Sequence, residues 1–294
     1  MAAITAKMVS DLRAKTGVGM MECKKALTEA DGNEEEAIKI LREKGLAVAD
    51  KKSSRIAAEG IVDIMFDEAT KTAAMIEVNI ETDFAAKNPD FRKFVSNVAE
   101  HIENNKPANI EELLAQNFEA DKTVQQSLTE LIATIGENTT LRRFIQFTGS
   151  ENTYVESYIH GDGKIAVLVD FKAGTTELAK DVCMQIAAAK PEYLNRQEVP
   201  ADVVAKEMEI LKAQAMNDGK PAEIAEKMVN GRIGKFYGEI CLLEQEFVKD
   251  PSMKVEQLLK SNNSEITKFA RFEKGEGIEK KEENFAEEVM KQIK

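Results

Sequence analysis

One arrangement of apolar residues occurs twice along this 294-residue chain, and it restricts the folds open to it. Segments 61–66 and 72–79 read as two strands joined by a short turn, with Ala74, Ile76 and Val78 alternating onto one face. From residue 89 to 103 the period changes. Phe91, Phe94, Val95, Val98, Ala99 and Ile102 follow the spacing of one helical stripe. The order returns at 154–160 and 164–171, two strands flanking Gly161-Asp162-Gly163. A helix over 176–189 follows, apolar at Leu178, Val182, Cys183 and Ile186 and stopped by Pro191. A strand pair that is apolar on one face needs a cover, and the helix that follows supplies it. The expected fold class is α+β, with two related strand-turn-strand-helix core subdomains.

The segments around this repeat are helical. Residues 1–45 read as three short helices. Thr5 is placed to cap the first, which ends at Lys15 with Gly17 beyond it. The second covers 21–30. The third is opened by Asn33 and Glu36 and closes at Gly45. Val9, Leu12, Met21, Leu27, Ala37, Ile38 and Leu41 form their apolar faces, and Lys51-Lys52-Ser53-Ser54-Arg55 reads as a basic linker. Between the repeats lie helices over 110–115 and 124–135, the latter ended by Gly136. Residues 202–237 read as a helical hairpin. Val204, Met208, Leu211 and Ala215 form its first seam, Pro221 opens the return helix, and Gly231 and Gly234 weaken the second seam. Residues 266–272 alternate as a strand, and Phe285, Ala286, Val289, Met290 and Ile293 form the stripe of a terminal helix. The expected domains are 1–54 (three helices and linker), 55–141, 142–276 with a projecting hairpin at about 195–236, and a helical module at 277–294.

Charge and side-chain chemistry narrow the functions. A net charge of −12 and a pI near 5.0 argue against binding nucleic acid directly or anionic membranes, both of which need clustered Lys and Arg. No apolar run approaches the roughly 18 residues of a membrane span, and the amino terminus has no signal-like apolar core. Cys23, Cys183 and Cys241 are far apart and read as reduced packing thiols of a cytoplasmic protein. His101 falls near the end of a charged helix, in solvent. His160 precedes the Gly-Asp-Gly turn, as a hairpin residue or a partner contact. Gly161-Asp162-Gly163-Lys164 lacks the spacing of a phosphate loop, and the acidic runs lack that of a calcium loop. No cofactor, metal site or covalent chemistry is expected.

The stretch Glu77-Val-Asn-Ile-Glu-Thr-Asp-Phe-Ala-Ala-Lys-Asn88 ends a strand and leads to a helix start at Asn88-Pro89. It sets Asp83 and Phe84 side by side on a connection, where binding groups commonly sit. Two readings stand. Asp83 caps a turn while Phe84 tucks under the next helix, or the pair faces a partner.

Thr16-Gly-Val-Gly-Met-Met-Glu-Cys-Lys-Lys-Ala-Leu27 with Ala30-Asp-Gly-Asn33 resembles the amino-terminal signature of the bacterial elongation factor Ts family. Glu77 to Phe84 is similar to its second signature. Ile135-Gly-Glu-Asn-Thr-Thr-Leu-Arg-Arg-Phe144, His160-Gly161, Ala187 to Pro191 and Arg271 to Lys280 match further landmarks in the same order. Ile80, Glu81, Ala85 and Gln185 depart from the usual pattern, at what reads as the rim of the site, around an intact Thr82-Asp83-Phe84. The resemblance implies a guanine-nucleotide exchange factor that binds elongation factor Tu, through a ubiquitin-associated-like module at residues 1–54 and a two-part core. It implies that Thr82, Asp83, Phe84 and Ala85 displace magnesium and nucleotide in that partner, with further contacts from Leu12, Met20, Met21, His160 and Gly161. The hairpin is the candidate surface for a dimer of exchange complexes. The alternative is a non-catalytic adaptor that holds a protein partner with its three-helix module.

Overall fold

The computed structural model describes residues 4–119, 122–150, 153–218 and 221–279, the backbone alone at 222–225. By backbone contacts the chain falls into two compact units. The first comprises Met1–Met65, Ala74–Gln146 and Glu273–Lys294, and the second Phe66–Ala73 and Phe147–Phe272. The terminal stripe from Phe285 to Ile293 lies outside the described residues.

The first unit opens with three helices, α1 (Ala6–Thr16), α2 (Met20–Glu29) and α3 (Glu34–Lys52). The caps are those the sequence points to. Thr5 Oγ1 accepts from Met8 N, Asn33 Oδ1 accepts from Glu36 N, and Gly17 ends α1 in the left-handed region. Val9, Leu12, Cys23, Ala26, Leu27, Ala37 and Leu41 close a small core. The third helix does not stop at Gly45 as expected; it continues to Lys52 and takes in Lys51 and Lys52 of the expected linker. Gly45 is buried against a later helix, α7 (Val124–Ile135), with Ala133 Cβ 3.5 Å from where its own Cβ would stand. A glycine inside a helix costs about 1 kcal/mol, here offset by close packing of α3 on α7. Lys52 Nζ then donates to the carbonyl of Gly136 at the end of α7, favourable placement for a cation at the carboxyl end of a helix.

Two strands follow, β1 (Glu59–Asp67) and β2 (Thr72–Ile80), then the short helix α4 (Asp83–Ala86) and α5 (Pro89–Asn105). After α6 (Ile110–Ala115), a two-stranded ribbon of β3 (Asn117–Glu119) and β4 (Lys122–Thr123) leads into α7 and β5 (Thr139–Thr148). The sheet order is β1-β2-β5, so β2 is central and buried along its whole length. Ala74, Ile76, Val78 and Ile80 meet Phe91, Phe94, Val95, Val98 and Ile102 of α5 in the main core. His101 departs from the solvated reading. Its Nε2 lies 2.9 Å from Gln116 Oε1, and its ring packs edge-on to Phe118 at 5.4 Å. Phe118 lies on the unexpected strand β3, and Gln116 is the residue just before it.

The second unit repeats this plan. β6 (Tyr154–His160) pairs antiparallel with β7 (Ile165–Lys172), Tyr154 opposite Phe171 and His160 opposite Ile165. Gly161, Asp162 and Gly163 all have positive φ, and Lys164 N donates to His160 O at 3.0 Å to close the turn. Helix α8 (Thr176–Ala189) packs on this hairpin through Leu178, Val182, Cys183 and Ile186. Two helices, α9 (Ala201–Asn217) and α10 (Ala222–Ile240), form the antiparallel arm. Strands β8 (Glu246–Phe247) and β9 (Asp250–Lys254), helix α11 (Val255–Ser261) and β10 (Glu265–Glu273) complete the unit. The order β10-β7-β6 again puts the second strand of a hairpin in the middle and brings the third strand from much later in the chain. Fold class is therefore α+β, and the duplication extends beyond the hairpin and helix to the third strand.

In the arm, Leu211, Ala215 and Val229 are buried while Met208, Ile210 and Met216 are exposed. A Cβ added at Gly231 or Gly234 would meet nothing within 4 Å among the described residues, so these glycines relieve no crowding there. Gly231→Ala and Gly234→Ala are each expected to stabilise the arm by about 1 kcal/mol. Slower amide exchange across α10 would show it. Faster exchange would mean that the glycines serve the folded arm in another way.

Candidate functional site

The site begins where β2 runs out. Ile80 is the last buried residue of the strand, and Glu81 and Thr82 turn the chain into α4. Thr82 has extended backbone and caps α4, its Oγ1 accepting from Ala85 N at 3.2 Å. A helix of four residues has no intrinsic stability, so tertiary contacts must hold it. Ala85 and Ala86 supply two, both packed into the main core. A third comes from the segment between α7 and β5. Glu137 accepts from Thr82 N at 2.9 Å and from Thr82 Oγ1 at 2.8 Å, while Glu81 accepts from Asn138 N at 2.6 Å. Asn138 also donates through Nδ2 to the carbonyl of Arg55 at 2.7 Å.

With Thr82 and Ala85 anchored inward, Phe84 projects outward and is 82% exposed, the most exposed large apolar side chain among the described residues. The reading in which Phe84 tucks under the next helix is thus excluded in this structure. Leaving a phenylalanine in water forgoes roughly 1.5–3 kcal/mol of burial. Lys87 Nζ lies 5.9 Å from the ring centroid of Phe84 and 3.1 Å from Asp83 Oδ2, so the aromatic sits beside an exposed ion pair. Asn88 caps α5 immediately afterwards, its Oδ1 accepting from Asp90 N at 2.8 Å. The turn that carries Asp83 and Phe84 is fixed at both ends.

The other candidate residues divide by exposure. Met20 and Met21 open α2 and are exposed, as are His160 and Gly161 at the tip of the β6–β7 hairpin in the second unit. Tyr158 Oη lies 3.0 Å from His160 Nδ1, which orients the imidazole. Leu12 is fully buried in the three-helix core and Ala85 nearly so. Neither presents a surface in this structure, against the expectation that they are direct contacts. Sequence reasoning missed Glu137 and Asn138 as site residues. They stood in the Ile135 to Phe144 stretch as landmarks, and only the fold shows Glu137 bonded to Thr82 and Asn138 to Glu81.

Three of the four departures from the family pattern prove to be interior, and Glu81 is half-buried. Ile80 and Ala85 are buried, and Glu81 is part of the brace. Gln185 is buried in the second unit, where its Oε1 accepts from Val248 N at 2.8 Å and its Nε2 donates to Gln245 and Glu246. They bear on support rather than on an exposed rim. All three cysteines are free and buried. Burial pushes the Cys183 thiol well above its ordinary range and Cys241 up to about 11, which keeps both protonated and unreactive near neutrality.

Two duplicated sheet units, three opening helices and an aromatic held out on a braced turn define the class: an α+β protein. The comparisons carry this to a family. The family model described as Elongation factor TS matches residues 81–276. Elongation factor Ts of Clostridium perfringens strain SM101 is 52% identical, with 98% of each chain covered. Those of Clostridium botulinum strain Alaska E43 and Methylococcus capsulatus are 50% and 53% identical, with 99% of each chain covered. The chain belongs to the elongation factor Ts family and is a translation elongation factor.

Proposed function

We propose that this protein is the guanine-nucleotide exchange factor for elongation factor Tu, acting in the cytoplasm by binding the GDP-bound partner and releasing its nucleotide so that GTP can enter. The observation that carries the reading is Phe84, held in water on a rigid turn rather than folded away. Its exposure costs the free protein stability that burial against a partner would return. The mechanism is linkage. A factor that weakens GDP binding must itself be weakened equally by GDP, so each ligand expels the other. GDP is held chiefly by its phosphates and a magnesium ion, so a small displacement of that site by an inserted ring releases the nucleotide. The factor requires no bond-making and no cofactor of its own. Met20 and Met21 of the three-helix module, and His160 and Gly161 of the second unit, serve as further contacts.

Release of fluorescent GDP from elongation factor Tu, followed with and without this chain, tests the reading directly. Acceleration that saturates with factor concentration supports it. Binding without acceleration would leave an adaptor that uses its three-helix module. Within the site, Asp83→Asn is expected to slow exchange less than Phe84→Ala. The carboxylate is already paired with Lys87, and asparagine keeps its shape. Equal or greater loss in stopped-flow traces of Asp83→Asn would make charge, not insertion, the dominant effect.

A further inference from the structure

Phe84 can work as a wedge only if its turn resists being pushed back, and that resistance has an identifiable source. We propose that Glu137 is a positioning residue for nucleotide exchange: through Thr82 it stiffens α4 so that contact force on Phe84 moves the partner's nucleotide site rather than this turn. The inference rests on the exchange reading above and adds a residue outside the Asp83–Phe84 pair.

The geometry is reciprocal. Glu81, just before α4, accepts from the backbone of Asn138, and Glu137 accepts from the backbone and hydroxyl of Thr82. Each segment thus gives the other a carboxylate, and three of these bonds are between 2.6 and 2.9 Å, in the range of charge-assisted contacts. The Thr82 hydroxyl is engaged in both directions, donating to Glu137 while accepting from Ala85 N. Its rotor is thereby fixed in the capping position. Glu137 is only half-buried, so the core does not require a side chain of its shape there. What it does fix is the first turn of α4. Ala86 N bonds to Thr82 O, Lys87 N to Phe84 O and Asn88 N to Ala85 O. Without Glu137, the Thr82 cap loses both of its carboxylate contacts, and the turn is left with Ala85 and Ala86 in the core and the Glu81–Asn138 bond.

Two measurements test this on the full-length chain. Glu137→Ala should speed hydrogen exchange at the Ala86, Lys87 and Asn88 amides about tenfold, the scale of one charge-assisted contact. It should lower the maximal GDP-release rate by about tenfold while the Kd for elongation factor Tu changes much less, with Glu137→Gln between the two. In a Phe84→Ala background, Glu137→Ala should add less than about a twofold further loss, because there is no ring left to position. Unchanged amide protection in Glu137→Ala overturns the brace whatever the exchange rate does. An equal loss in both backgrounds overturns positioning and leaves a general structural role. Phe84→Ala exchanging like wild type while the amides still loosen would show that the wedge reading failed and the brace serves something else.

Discussion

Phe84→Ala is expected to slow catalysed GDP release about thirtyfold or more, the effect of losing an aromatic anchor worth about 2 kcal/mol. Stability should hardly change, because a ring that is 82% exposed contributes little to the core of the free protein. This separation is the diagnostic feature. The turn that carries the ring is held by Thr82, Ala85, Ala86 and Glu137, none of which needs the phenyl group. Replacement by leucine should retain part of the activity, since it restores apolar area without the ring's reach. Stopped-flow release of labelled GDP, with thermal unfolding of the same variants, gives both quantities. Wild-type exchange by a folded Phe84→Ala protein would remove the wedge from the mechanism. A large fall in melting temperature would mean the ring packs in solution against something in its own chain.

Much of this arrangement is legible in the sequence, and the parts that are not share a cause. Helices α5, α7 and α8 have a continuous apolar stripe and local start and stop signals, so their limits are found from short-range spacing. The two hairpins likewise follow from alternation and turn residues. Strand β5 has Arg142 and Arg143 adjacent in its middle, which obscures any alternation, and their reason lies on β2, in Glu77. Helix α3 passes Gly45 because α7 lies close against it, a contact with a residue far along the chain. His101 meets Gln116 and Phe118 across the end of α6 and the start of β3, a contact its own helix does not show. At the site, the exposed pair could be singled out from a strand end followed by a helix start, but its brace could not. A carboxylate at position 137 looks like any surface glutamate until the fold sets it against Thr82.

Glu77→Ala is expected to lower the stability of the first unit by about 2–4 kcal/mol, a larger loss than any change at the exposed pair. The resemblance treats the stretch from Glu77 to Phe84 as one signature, yet the structure gives its two ends opposite duties. Glu77 is completely buried. Its carboxylate accepts from Arg142 at 2.9 Å, from Arg143 at 2.6 Å, from Gly275 N at 2.7 Å and from the Asn79 side chain at 3.2 Å. Alanine would leave a void, two cations without this partner and a backbone N–H stripped of its acceptor. Arg142 and Arg143 are 27% and 32% exposed, so water can reclaim part of their charge, which holds the loss below that of a wholly buried triad. The Gly275 contact makes the effect extend to the end of the described chain. Gly275 has φ +68, and a Cβ there would stand 2.1 Å from the carbonyl oxygen of Ala58, so only glycine fits beside the start of β1. Glu77 thus fastens residues 273–276 to the middle of β2, and its loss should free them first. Urea unfolding reads the global loss, and amide exchange at Gly275 reads the local one. Glu77→Gln should recover part of both, since an amide oxygen can still accept from Gly275 but cannot balance two guanidinium groups. Wild-type stability in Glu77→Ala would show that the arginines and the glycine amide find other partners at no cost, and that the carboxylate does not organise this part of the fold.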